Sequence, residues 1–483
     1  MKKREDSIFE NKSANVAAGQ MRARRKWCAA ATLLLALVLA FAPAAGSIMR
    51  AYAEEEEMSE EEKARKELLE KTYKIEVASN KIQGWPKGPG TYGEAACVVD
   101  MDTGAILYDK KMNDKHYPAS ITKVMTAYVT CKYGDLNGKV AFYPEDMSFL
   151  EPGDAAIGMQ AGEVMTMNDA MHAMLLQSAN EVSHAIIRTV GRKVRTEGQI
   201  AVPGAPKEAK NEQVLDYKWG IALMNMEAQM IGCTNSHFVN SYGLHDKYHY
   251  VTAHDMCLIG AAAYQYEYFR KVTQTLRYKI PRYAKIKGKG EKKKVKANKD
   301  GLLTVEPREF IQNHKMLHPN HERYYKYCTG GKTGFTDQAG TTLITFAEKD
   351  GRKLVCTCLH TYGAAEVYGD TKALLEYGFK NFEKKAMSFD ELSRIAKSSG
   401  GRTITMIEDQ SPTLTLPKGA DLSAVSGKAA FDLTDISLDK GYYQFYFGNL
   451  PAGRTKVHYE SLHQAVATAL NTFHRRFSEK DGK

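Results

Sequence analysis

The stretch "YPASITKVMTAYVTC", Tyr117–Cys131, constrains this chain more than any other. Its apolar positions Ile121, Val124, Met125, Ala127, Tyr128 and Val129 predict a helix that starts near Ser120 and runs into a core. Lys123 is the one charge in those fifteen residues. It lies one helical turn from Ser120, so the two side chains share a face. A cation in a first turn also opposes the helix dipole. Two accounts fit: Ser120 is an N-cap with Lys123 snorkelling to water, or the amine is kept beside the hydroxyl for chemistry. The pattern S-x-x-K does not decide by itself, because it recurs at Ser437–Lys440 in the polar, turn-like "DISLDKGYY". The first copy has the apolar run that desolvates an amine, and the second does not.

At 483 residues, 43% apolar and 26% charged, the chain is long enough for two or three globular domains. Residues 1–53 read as an N-terminal extension and signal peptide. Arg22, Arg24, Arg25 and Lys26 precede an uncharged stretch, and Ala51–Ala53 supplies the small residues of a cleavage site. Its apolar core, Cys28–Ala45, is short for a membrane span, so cleavage and export are expected, with an uncleaved anchor as the alternative. Of the 67 Lys/Arg and 57 Asp/Glu, nine and three lie in that segment, leaving 58 against 54 in the mature chain. So weak a positive balance makes nucleic acid an unsuitable partner. One basic run, "YKIPRYAKIKGKGEKKKVKANKD" from Tyr278, reads as a solvated loop or as a contact for anionic wall polymer or lipid head groups. Cys97, Cys131, Cys233, Cys257, Cys356 and Cys358 lie in apolar runs, and "CTC" is an alternating strand. Few or no disulfides and no metal site are expected.

Residues 54–85 read as an acidic helical lead-in. From Thr91, "YGEAACVVDMDTGAILYDKK" gives two strand-like runs around a hairpin signal. Residues 165–192 carry apolar positions at helical spacing, 193–215 are polar and look inserted, and helical patterns return at 218–231 and 253–267. Strand patterns follow at 340–347 and 352–359, then a helix at 369–384. After about 386 the runs are short and alternating. The pattern alone suggests a mixed sheet with strands from both ends of the region 86–385, a helical insertion, and a small C-terminal domain over 386–483.

Two further signals complete the constellation. Ser178-Ala179-Asn180 lies inside a helical pattern, and Lys332-Thr333-Gly334 is the one K-T-G of the chain, flanked by glycines and followed by a strand. Each is weak alone; S-x-x-K, S-x-N and K-T-G in this order and setting form a strong signal. The trio resembles the penicillin-recognising serine enzymes. The flanks "AACVVDMDTGAILYDKK", "NSYGLHDKYHYVTAHDM", "NHKML" and "GGKTGFTDQAG" look like the serine-type D-alanyl-D-alanine carboxypeptidases of peptidase family S11. One departure is Glu181, where the family more often has Asp after the Asn.

The resemblance implies an α+β fold: a β-lactamase/transpeptidase-like catalytic domain with an antiparallel sheet flanked by helices and a helical subdomain, plus a small β-rich C-terminal domain. It implies Ser120 as nucleophile, neutral Lys123 as its base, and Ser178 as a proton relay. Asn180 would orient Lys123 and a substrate amide, and Lys332 and Thr333 would hold the terminal carboxylate. Gly334 would allow close approach of strand to substrate, and the backbone N–H groups of Ser120 and Phe335 would form the oxyanion hole. The implied partners are peptidoglycan stem peptides ending in D-Ala-D-Ala, with β-lactams as acylating inhibitors and no cofactor. Alternatives are a serine β-lactamase, with Glu212–Asp216 ("EQVLD") as its deacylation acid, or a non-catalytic wall-binding protein. The terminal "YESLHQAVATALNTFHRRFSEK" lines Leu462, Val466, Leu470 and Phe473 on one helical face, which suggests at most peripheral membrane attachment of an exported protein.

Overall fold

The computed structural model describes residues 59–280, 284–285, 308–398, 404–409, 412–431 and 440–459. The signal segment, most of the basic run and the terminal amphipathic stretch lie outside the described residues, as does Ser437. The chain divides into two units between Ala64 and Arg65. In the first, a capping box starts helix α1, Glu60–Tyr73: Glu62 N–H donates to Ser59 Oγ at 3.2 Å, and Ser59 N–H donates to the Glu62 carboxylate at 2.9 Å. Everything below lies in the second unit.

A five-stranded sheet organises that unit. Its strands are β1 (Ala95–Asp100), β2 (Ile106–Lys110), β3 (Cys328–Thr336), β4 (Gly340–Lys349) and β5 (Arg352–Thr361). The order is β2-β1-β5-β4-β3, with every pairing antiparallel. The mixed sheet suggested by the residue pattern is thus not found. Tight hairpins join β1 to β2, β3 to β4 and β4 to β5, and a hairpin can only pair antiparallel. Side chains alternate across the sheet as a period of two requires. Ala95, Cys97 and Val99 enter one core, while Ala96 and Val98 enter another.

Helices cover both faces. On the first lie α2 (Lys123–Tyr133), α3 (Met167–Gln177), α4 (Asn180–Glu197), α5 (Glu212–Ile231) and α6 (Ala253–Tyr264). Helix α7 (Ala364–Asn381) packs Val367, Leu374 and Leu375 on the second. The single periodic pattern over 165–192 is two helices, because Ser178 adopts a left-handed backbone (φ 61°) and breaks it. The polar stretch 193–215 is less of a loop than its composition suggests. Helix α4 continues to Glu197, where Gly198 ends it at φ 61°. Helix α5 begins at Glu212, capped by Asn211 Oδ1, which accepts from Val214 N–H at 2.9 Å.

C-terminal to α7, strand Phe382–Ala386 pairs with Thr413–Pro417, and a four-stranded antiparallel sheet follows. Tyr443, Phe445, Phe447 and Val457 form a third core there. Trp85 joins this layer to the catalytic region, its ring 5.1 Å from Phe382 and 6.0 Å from Phe447. The seven cysteines of the described residues are free thiols. No helix among the described residues is long and apolar enough to cross a membrane.

The helix that carries Asn180 is held by a close backbone contact. A Cβ on Gly220 of α5 would lie 2.4 Å from the Ile187 carbonyl oxygen of α4. Replacing glycine by alanine in a helix ordinarily gains about 1 kcal/mol; here the added methyl must push the helices apart. Gly220→Ala is expected to lower stability by about 1–3 kcal/mol in urea unfolding. A gain in stability would refute the contact.

Candidate active site

Ser120 sits in a 3-10 turn, Ala119–Thr122, that feeds directly into α2. It is not an N-cap, since no side chain caps either element. Ala119 has φ 50°, a conformation that costs a non-glycine residue about 1–3 kcal/mol and needs outside support. Thr122 Oγ1 supplies some, donating to the Ala119 carbonyl at 2.8 Å. That hydroxyl is in turn 2.9 Å from His249 Nε2. His249 Nδ1 accepts from Val239 N–H at 3.1 Å, so Nε2 carries the proton and donates to Thr122. Burial pushes His249 down to about 3, which keeps it in this neutral form.

Two glycines close on the same turn. A Cβ on Gly243 would lie 1.9 Å from the Ala119 carbonyl oxygen. One on Gly334 would lie 2.4 Å from Thr342 Oγ1 and 2.9 Å from Ser120 N. The close approach that Gly334 allows in the structure is to the turn that carries Ser120. Thr342 Oγ1 donates to the Pro118 carbonyl at 2.8 Å and fastens the turn to the sheet.

Lys123 is fully buried. Its Nζ lies 2.9 Å from Ser120 Oγ, 2.7 Å from Asn180 Oδ1 and 2.7 Å from the Tyr242 carbonyl oxygen. The amine is held well below the ordinary lysine range by burial first and then by the nearby Lys332 cation, with Glu181 and Asp154 pulling the other way. A neutral amine has two N–H donors and one lone pair. Asn180 and Tyr242 take the two donors, and the lone pair then faces the Ser120 hydroxyl.

Strand β3 forms an edge of the sheet and contains the K-T-G residues within the strand itself. Lys332 is buried, which pushes it down to about 7, and its Nζ donates to the Thr333 carbonyl at 2.7 Å. Thr333 is half-buried, and Phe335 leaves 66% of its surface exposed. Ser178 Oγ is buried without a hydrogen-bond partner among the described residues. Ser120, Lys123 and Asn180 are thus joined by hydrogen bonds, Gly334 packs on the turn of Ser120, and Lys332 acts on Lys123 through its charge. Ser178, Thr333 and Phe335 make no direct bond to the trio.

The sequence reading missed the Tyr242 carbonyl, Gly243, His249 and Thr342. A backbone carbonyl leaves no trace in residue identity, although the glycine of "NSYGL" marks the tight approach. Conversely, Glu212 and Asp216, the alternative deacylation acids, are engaged with Arg195 at 4.0 and 2.7 Å.

With this geometry in place, the sequence matches the family model of the D-alanyl-D-alanine carboxypeptidases over residues 86–193 and 217–362. The chain belongs to that family. The gap in the match falls on the end of α4, the loop after it and the first turn of α5, the stretch read as inserted. Among curated relatives, DacF of Bacillus subtilis is 22% identical over 338 residues, 69% of this chain and 74% of its own. DacA of Haemophilus influenzae is 25% identical over 373 residues, covering 75% and 81%. Both are described as D-alanyl-D-alanine carboxypeptidases. The Streptomyces K15 DD-transpeptidase structure aligns with a TM-score of 0.49 at 20% identity, covering 61% of this chain and 99% of that one.

The carboxypeptidase-family site makes one electrostatic prediction. Because the Lys332 charge holds the Lys123 amine down, Lys332→Met should raise the pH at which Lys123 loses its proton. Titration of ε-13C-labelled lysines by NMR measures this, and a midpoint that stays or falls in the variant would refute the coupling.

Proposed function

We propose that this protein is a serine DD-carboxypeptidase that removes the terminal D-alanine from peptidoglycan pentapeptide stems. The observation that carries the reading is the three-point hold on the buried Lys123 amine, with Ser120 Oγ as its third neighbour at 2.9 Å. A serine hydroxyl is a weak nucleophile until a base takes its proton. An ordinary lysine titrates near 10.4, so bringing it to neutrality near pH 7 asks for about 4 kcal/mol; burial and the Lys332 charge both act in that direction.

In this mechanism Ser120 Oγ attacks the carbonyl carbon of the penultimate D-alanine while its proton passes to Lys123 Nζ. The oxyanion is met by the backbone N–H groups of Ser120 and Phe335. Lys332 and Thr333 hold the terminal carboxylate, whose arrival favours the charged form of Lys332. The tetrahedral intermediate collapses by breaking the C–N bond, and Ser178 relays the proton from Lys123 to the departing D-alanine amine. The unpartnered Ser178 hydroxyl supports that role, since it is free to give and receive a proton. Water then attacks the acyl ester, giving its proton to Lys123, which passes it to Ser120 Oγ as the acyl C–O bond breaks and the shortened stem leaves. β-Lactams acylate Ser120 by the same first step. The substrate lies outside the cytoplasmic membrane, which agrees with the export segment in residues 1–53.

Ser120→Ala is expected to abolish both penicillin labelling and D-alanine release, and label recovered on another residue by peptide mass spectrometry would overturn the assignment. Lys123→Arg should be nearly as inactive as Lys123→Ala, each slower than wild type by about 100-fold or more, because a guanidinium does not give up its proton. An arginine variant that acylates within tenfold of wild type would make Lys123 an electrostatic group and not a base. Persistent acylation of the wild type supports a carboxypeptidase, and rapid turnover of penicillin would support a β-lactamase.

A further inference from the structure

One carboxylate beside the site touches none of the reacting atoms, although its charge acts on Lys123. Glu181 follows Asn180 at the start of α4, is fully buried, and forms no ion pair among the described residues. Its Oε1 accepts from the backbone N–H groups of Ile157 at 2.7 Å, Gly158 at 3.1 Å and Met159 at 3.5 Å. Its Oε2 is buried with no hydrogen-bond partner among the described residues. A buried polar atom left unpaired costs about 1–3 kcal/mol, so the three N–H bonds to the other oxygen hold the carboxylate there against that cost.

The segment that Glu181 holds is tied to the catalytic residues at two further points. The Ala155 carbonyl accepts from Asn180 N–H at 2.8 Å. The Phe149 ring lies flat on the Tyr242 ring, with centroids 4.2 Å apart and planes 3° from parallel. Asn180 and Tyr242 are the two residues whose oxygens take the Lys123 amine. Residues 149–159 therefore grip both of those acceptors from behind.

We propose that Glu181 is a positioning residue: it clamps residues 157–159 to the start of α4, and the wall so held fixes Asn180 and Tyr242 where they aim Lys123 at Ser120. The proposal rests on the carboxypeptidase reading of Ser120 and Lys123. Glu181 itself touches neither substrate nor the reacting atoms. Besides its charge on Lys123, which alanine and glutamine remove alike, its effect is geometric, and a displacement of about 1 Å in such a constellation costs about 100-fold in rate.

Two readouts on the full chain test it. Hydrogen exchange at the amides of residues 157–159 reads the clamp, and the speed at which saturating labelled penicillin acylates the folded fraction reads the positioning. Glu181→Ala should speed exchange at those amides and slow acylation about ten- to a hundredfold, with final labelling still one-to-one at Ser120. Glu181→Gln keeps an oxygen that accepts the same N–H groups, and should restore most of both. A merely destabilised protein would label in smaller amount but at undiminished speed. An alanine variant as fast as wild type, or a glutamine variant as slow as alanine, overturns the proposal. Should Glu181→Ala fail to fold, Phe149→Ala releases the other end of the segment, and unchanged acylation speed there overturns it equally. Wild-type protein that takes no label at Ser120 would overturn the reading of the site, while faster exchange in Glu181→Ala would still establish the clamp.

Discussion

Lys123 exchanges all of its water for three oxygens within 2.9 Å, and much of the architecture serves that exchange. An ammonium ion carried into an apolar interior is expensive, and the cheaper state is the neutral amine. Keeping it neutral and aimed requires that its acceptors come from parts of the chain that cannot drift. Asn180 comes from the first residue of α4, and the Tyr242 carbonyl from a loop whose Asn240 side chain accepts from Gly243 N–H at 2.6 Å. Ser120 comes from a turn squeezed between two glycines. Each support reaches the amine from a different element.

The sheet makes this convergence possible. It carries helices on both faces, so α2 can be wholly buried at its start, and its edge strand brings Lys332 into electrostatic range without a direct bond. One side chain thus influences another through a dry interior, where charges act over longer distances than in water. The backbone break at Ser178 belongs to the same design. A left-handed residue between α3 and α4 ends one helix and lets the next begin with Asn180 pointing at the amine.

Much of this was legible in the residues. The apolar run around Lys123 announced a buried amine, and the strand patterns marked β1, β2, β4 and β5 with limits nearly right. Strand β3, whose glycines mask its strand character, was not read as a strand. The three motifs named Ser120, Lys123 and Asn180, which the fold joins by hydrogen bonds. What stayed hidden falls into two kinds. Supports made by backbone, such as the Tyr242 carbonyl and the strained Ala119, have no signature in side-chain identity. Supports made by tertiary closure, such as His249 holding Thr122, join residues 127 positions apart, and no local pattern links them. The polar composition of 193–215 misled for a third reason: exposed helix ends are polar too, and only the caps at Gly198 and Asn211 fix where the loop starts and stops.

The sheet edge at β3 has a consequence of its own. A strand edge left unpaired is a template on which another chain's strand can grow, and part of this one is already answered: Gly331 N–H donates to Thr273 Oγ1 at 3.0 Å, and the Gly331 carbonyl accepts from that hydroxyl at 3.1 Å. The exposed Phe335 stands beyond those bonds, near the end of the strand. Gly330, Gly331 and Gly334 weaken the strand's pairing further. An edge answered by a side chain and thinned by glycines is a poor seed for aggregation.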